Sequence, residues 1–485
     1  MKIKYFFIPF FAILFLSCPE KPEIENNSKS YTAFWAIDSK TEAFYLLNAE
    51  LLVENSYCRV WAETGSGVSV SSAKLVADEY IKIYSKLMSV FGWTNQYGGV
   101  MENAKRFTGG DGKLCILLLD IKDDYQKGVN ESYIAGYFFW VDFFNSITAA
   151  SVGARTNQRT MIYLDVNPGL NFGNINELYK TLAHELQHLM NFTSTLTFRS
   201  STMDTWIDEG LSSAAEWIYS DKHSEDRIRW YSNNGSGNNK SSINTGNNFF
   251  MWDNKIDENI YAVLDDYATV YLFFQWLRLQ SNNWQNMYKS IITSVHSDFN
   301  AVTSAAAANI NAKYINWDEL LKDWLAANYL NLPEGPHGYK GDLKDSNGNA
   351  YSLNSHYAPE NITTIGLLPG EGVYSYNVTN QDTSGQGSSI RNAYMNNCLL
   401  PAYDYGSTML TYNSNTNKYS AQENGVVTGE IPSANANISG GRSIQPNALP
   451  ITEPLRIGLW DFSNNRLNNI SINDLKSNNT VLFNE

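Results

Sequence analysis

His184-Glu185-Leu186-Gln187-His188 sits inside an apolar run with helical spacing, Asn176 to Phe192, where Leu178, Leu182, Leu186 and Leu189 mark one face. Two histidines four positions apart on a helix lie one above the other. If that face is buried, their ring nitrogens need partners. A divalent metal supplies them: two imidazoles at this spacing bind one Zn²⁺, and Glu185 beside them reaches a water at the metal. The bland alternative is a histidine pair on a solvated face. The metal reading is the more demanding one, because it requires a fold with this helix near its centre and a second element that delivers a third ligand.

That ligand is not a third histidine close by. After His188 the chain reads Leu189-Met190-Asn191-Phe192-Thr193-Ser194, without the Gly and His that follow in metzincins. The next histidine, His223, is 35 positions further on. Trp206-Ile207-Asp208-Glu209-Gly210-Leu211-Ser212-Ser213-Ala214-Ala215-Glu216 offers carboxylates on a predicted helix spanning Thr205 to Tyr219. Glu209 stands 21 positions after His188 and is the expected third ligand. Glu216 shares its face two turns on, as an alternative ligand, a group orienting an imidazole, or a solvated helix carboxylate. Asp208 is about a hundred degrees round the helix and is expected to point elsewhere.

The rest of the chain sets the frame. Its 485 residues, 43% apolar and 17% charged, exclude a disordered protein and call for several domains. A net charge of -14 argues against nucleic acid as a partner. Four cysteines exclude a disulfide scaffold or a multi-cysteine zinc framework. Residues 1–18 read as an export signal: Lys2 and Lys4, an apolar run from Tyr5 to Leu16, then Ser17-Cys18. The position of Cys18 suits a bacterial lipoprotein, with the membrane reached only through a lipid on that cysteine; an ordinary signal peptide is the alternative. Residues 19–30 suit a flexible tether. Short strands are expected at 31–64, 114–121, 133–142 and 160–166, a helix from Ser72 to Phe91, a long polar loop at 223–258, and helices at 264–279, 283–294, 299–311 and 317–329. These divide into an N-terminal β/α lobe (31–200), a helical lobe (201–335) and a β-rich region (336–485). Cys58, Cys115 and Cys398 leave open either one disulfide with a spare thiol or three free thiols.

With these residues in view, the sequence resembles the gluzincins, metallopeptidases that hold zinc with two His and one Glu. It is most similar to the hyicolysin family of bacterial secreted metallopeptidases. The likeness covers about residues 50–330 and rests on Leu117-Leu-Leu-Asp-Ile-Lys-Asp-Asp124, Ile134-Ala-Gly-Tyr-Phe138, Met161-Ile-Tyr-Leu-Asp-Val-Asn-Pro168 and Thr181 to Phe192. Asp208 stands where Asn is usual. The resemblance implies an α+β fold: a thermolysin-like, two-lobed zincin domain, with a twisted sheet plus helices and then a mainly helical half, followed by a mostly β C-terminal region. It implies one Zn²⁺ per chain on His184, His188 and Glu209. Structural Ca²⁺ is plausible for such folds, but no set of oxygen ligands can be assembled here.

Under this reading the substrate is a protein or peptide. It would pair with a sheet edge near 133–140, although the aromatic residues there equally suit plain core. Glu185 acts as general base and passes its proton to the leaving amine. Tyr267, opening a helix, is the candidate oxyanion donor or else simply packs its ring; His223 and His296 are rivals for that role. No amine-binding acidic stretch of the aminopeptidase kind precedes the zinc helix between 130 and 183, which favours an endopeptidase. The alternative is a surface adhesin that keeps the site without activity. The expected location is the cell envelope, on the periplasmic face or the cell surface.

Overall fold

The computed structural model describes residues 29–353, except 124, 130–132, 171–174, 200, 233–248, 251, 253–259, 346 and 352, together with four strands between 364 and 432. It is a mixed α+β structure. In chain order the elements are β1 (Tyr31–Asp38), β2 (Ala43–Glu54), β3 (Cys58–Glu63), α1 (Val70–Phe91), α2 (Val100–Thr108), β4 (Leu114–Leu119), β5 (Gly136–Tyr137), α3 (Ser146–Ser151) and β6 (Met161–Asp165). Helices then follow one another: α4 (Ile175–Phe198), α5 (Thr205–Ser220), α6 (Glu225–Ser232), α7 (Ile260–Gln280), α8 (Trp284–Ile292), α9 (Phe299–Asn309) and α10 (Trp317–Leu330).

The sheet has the order β1-β2-β3-β4-β6-β5. β3, β4 and β6 run parallel, and the other pairs are antiparallel. β4 is apolar throughout because both its faces are covered. Leu114, Ile116 and Leu118 enter a core shared with the helices, while Cys115, Leu117 and Leu119 enter a second core on the opposite face. The sheet curls round that second core until its ends meet. The Tyr137 hydroxyl on β5 accepts from the Ile37 amide on β1 at 3.5 Å. Asn157 accepts the Trp35 amide at 2.8 Å and donates to the Trp35 carbonyl at 2.9 Å, covering the outer edge of β1. Cys58 and Cys115 fall one register position apart on β3 and β4 and so face different cores. They are buried free thiols, and burial pushes both up to about 12. Cys18 and Cys398 lie outside the described residues.

The closure of the curl carries a pH signature. Asp142 accepts the Asn157 amide at 2.5 Å and the Tyr163 hydroxyl at 2.7 Å. Burial nevertheless outweighs these bonds and raises its pKa to about 7. The folded state therefore holds a proton that the unfolded chain gives up near its ordinary value of 3.8. Stability from this group is complete below that value and is lost as pH rises to about 7, at roughly 1.4 kcal/mol per unit. Asp142→Asn is expected to flatten this part of the stability curve, read as urea midpoints at pH 5 and pH 8. An unchanged slope would remove Asp142 as its source.

Three stretches differ from the sequence reading. Residues 133–142 form only a two-residue strand, because the chain turns at Trp140–Phe143 and sends Val141 and Phe143 into different cores. The polar segment 223–258 contains α6: Glu225 and Asp226 sit at the positive end of the helix dipole, and Ile228 and Tyr231 fill its buried face. Beyond α10, Tyr339, Leu343, Tyr351 and Leu353 bury into the helical core, although composition grouped them with 336–485. Further on, β7 (Thr364–Leu367), β8 (Thr408–Asn413), β9 (Lys418–Glu423) and β10 (Val426–Pro432) form an antiparallel sheet in the order β10-β9-β8-β7.

Candidate metal centre

α4 runs through the interior and is buried from Thr181 to Leu196. It continues past Phe192, where the apolar pattern gives out, with its hydroxyls bonded back along the helix. Thr193 donates to the Leu189 carbonyl at 2.8 Å and Ser194 to the Met190 carbonyl at 2.9 Å, so both can be buried without cost in unmade bonds. Two glycines let neighbouring elements reach the motif. A Cβ at Gly136 on β5 would lie 2.7 Å from the Tyr163 carbonyl oxygen and 2.9 Å from Thr181 of α4. On the other side, a Cβ at Gly210 of α5 would lie 2.2 Å from the ring of Phe274 on α7. α5 is thereby held close between α4 and α7.

This packing gathers the site. The His184 and His188 rings stand 4.8 Å apart at 71°. Glu209 Oε2 lies 3.2 Å from His184 Nε2 and 3.5 Å from His188 Nε2. The outer ring nitrogens are held as well. His184 Nδ1 is 2.8 Å from Glu216 Oε1. His188 Nδ1 is 3.0 Å from Asp208 Oδ1 and 3.1 Å from Ser212 Oγ, which itself donates to Gln187 Oε1 at 2.5 Å. Glu216 thus stands behind His184 and Glu209 in front of it. Asp208 does not point away, as its helical angle suggested. The two nitrogens of one imidazole diverge enough for Asp208 and Glu209, adjacent on α5, to meet His188 from different sides.

The electrostatics suit a cation. Burial alone would lower the pKa of both imidazoles, yet Glu209 and Glu216 raise His184 to about 9, and Asp208 and Glu209 raise His188 to about 10. Burial would raise Glu209, but the two imidazoles hold it well below the usual carboxylate range. Three carboxylates therefore compete for two rings, and a divalent ion can replace the protons those rings would otherwise take up. The donor set also fits such an ion. Ligand atoms of His184, His188 and Glu209 lie within 4.8 Å of one another, the only such trio among the described residues. Both Glu185 oxygens are buried with no side-chain partner, only the Phe138 backbone acting on them, as a site shaped for a water would leave them. Burial raises Glu185 to about 7 against the pull of His188 and His184.

The Tyr267 ring is buried, with the Arg227 guanidinium 4.2 Å above it and Trp252 edge-on at 4.9 Å. His223 is held between the Tyr271 hydroxyl at 2.8 Å and Asp342 at 3.0 Å, and Tyr271 in turn feels the charge of Glu216. His296 is exposed. The sequence reading missed Ser212 and Asn191. Each falls three positions from a ligand on its own helix, after Glu209 and after His188, and that spacing was the available signal.

A mixed α+β domain with a buried His-His-Glu set on two successive helices is compatible with a zincin. No family model matches the chain. Among curated proteins, the neutral metalloprotease ShpI of Staphylococcus hyicus is 32% identical to it over 237 residues, 48% of this chain and 49% of that protein. The chain thus spans about half the length of that relative. This similarity supports a bacterial metallopeptidase family.

Proposed function

We propose that this protein is a zinc-dependent metallopeptidase that cleaves proteins or peptides internally, built on a thermolysin-like two-lobed plan of the hyicolysin type. The observation that carries the reading is the convergence of His184, His188 and Glu209 beside Glu185, whose buried carboxylate has no side-chain partner. When bound, zinc supplies Lewis acidity, acidifying water and polarising a carbonyl. Glu185 takes a proton from the attacking water and delivers it to the leaving nitrogen. Glu216, Asp208 and Ser212 fix the two rings so that Nε2 of each faces the ion. An extended substrate would pair with the sheet edge near 133–140. The similarity to a metalloprotease supports the peptide substrate.

The protein lacking residues 1–18 is expected to carry about one zinc per chain and to hydrolyse casein, with activity lost to phenanthroline and restored by zinc. Zinc bound without cleavage of any protein would favour the adhesin alternative. We place the protein in the cell envelope through lipid on Cys18. Among the described residues no helix is long and apolar enough to cross a membrane. Cys18→Ser should therefore move the protein out of the membrane fraction, and retention there would rule out the anchor.

A further inference from the structure

The carboxylate behind His188 is not an isolated helper. Asp208 Oδ1 accepts from Asn191 Nδ2 at 2.6 Å, and Asn191 Oδ1 accepts from Arg199 Nη2 at 2.8 Å. Arg199 lies just past the end of α4 and is 4% exposed. The same Nη2 reaches the Asn191 carbonyl at 3.1 Å and Thr195 Oγ1 at 2.9 Å. Its Nη1 donates to the Ile292 carbonyl at 2.8 Å and the Ser294 carbonyl at 3.3 Å, at the end of α8. Burial lowers the pKa of Arg199 to about 10, and the charge of Asp208 works against that loss.

The direction of this chain of bonds is fixed by chemistry. A guanidinium can only donate and a carboxylate can only accept. Asn191 must therefore turn its oxygen to Arg199 and its amide to Asp208. Asp208 Oδ1, 3.0 Å from His188 Nδ1, is placed to accept the proton on that nitrogen, which leaves the Nε2 lone pair for a metal. That is the tautomer a metal needs. Resting on the zinc reading above, we infer that Asn191 and Arg199 are positioning residues, which set the tautomer and orientation of His188 through Asp208 and anchor the site to the end of α8.

The test uses zinc affinity of the full chain, read by competition with a chromophoric chelator and so independent of activity. Asn191→Asp keeps the volume and the bond to Arg199 but faces one carboxylate with another. It is expected to weaken zinc binding by about 10- to 100-fold. Asn191→Leu fills a similar volume but makes neither bond, so it cuts Arg199 off from Asp208, and a loss of about 10- to 100-fold is expected there too. A role in packing alone predicts zinc affinity close to that of the natural chain in Asn191→Leu. Unchanged affinity in a folded Asn191→Asp or Asn191→Leu chain overturns the inference. Should Asn191→Asp not fold, Arg199→Lys keeps the charge but loses the fork, and wild-type zinc affinity in it would overturn the inference equally. A natural chain that binds no zinc would instead refute the metallopeptidase reading.

Discussion

Glu185→Gln is expected to keep its zinc and to lose casein hydrolysis by about 10²- to 10⁴-fold in kcat/KM, the range a positioned general base contributes. Glutamine has the same shape and keeps an oxygen to accept from the Phe138 backbone, so the fold should tolerate the change. Glu185 is not one of the three converging ligands, so metal content should stay near one per chain. Activity within tenfold of the natural enzyme would mean that another group moves the proton. The same assay judges Tyr267. If its hydroxyl steadies the oxyanion, Tyr267→Phe should lower kcat by about 10²- to 10³-fold with zinc retained. An unchanged kcat would leave its ring merely packed beneath Arg227.

Glu209→Ala should do the reverse and release the metal. Four-ligand structural zinc sites bind with about 10–16 kcal/mol, so an even share per ligand corresponds to roughly a hundred- to a thousandfold in affinity. Two imidazoles would remain, with Asp208 and Glu216 behind them. Glu216→Ala, by contrast, removes only the acceptor of His184 Nδ1, and a smaller loss of about 10- to 100-fold is expected. Dialysed variants measured for zinc separate the two. If the Glu209→Ala chain keeps metal while the Glu216→Ala chain loses it, Glu216 is the ligand.

Much of this is legible in the chain because it depends on short-range spacing. His184 and His188 share a face by helical geometry alone, and Glu209 follows from the lack of a nearby third histidine. What stays hidden depends on where helices cross. The angle of Asp208 about α5 sets it aside, a reading that ignores the second nitrogen of the ring it meets. Arg199 and the carbonyls of Ile292 and Ser294 are about ninety positions apart, and no periodicity joins them. Polar neighbours mask α6, and the buried anchors Tyr339, Leu343, Tyr351 and Leu353 are diluted among Gly, Asn and Asp. The two-residue β5 is overread because its aromatic neighbours feed two cores, which resembles a strand until the turn at Trp140.

The contact between Gly210 and Phe274 acts as a spacer gauge. The ring on α7 sets how far α5 can retreat from α4, and Gly210 lets α5 rest directly against it. Glu209 is the residue before Gly210, so the seat of α5 against Phe274 also bears on how far its carboxylate reaches towards the two imidazoles. The spacing between Glu209 and the two imidazoles thus depends on a residue pair outside the trio. Any chain that changes the size of one member must change the other to keep the same opening.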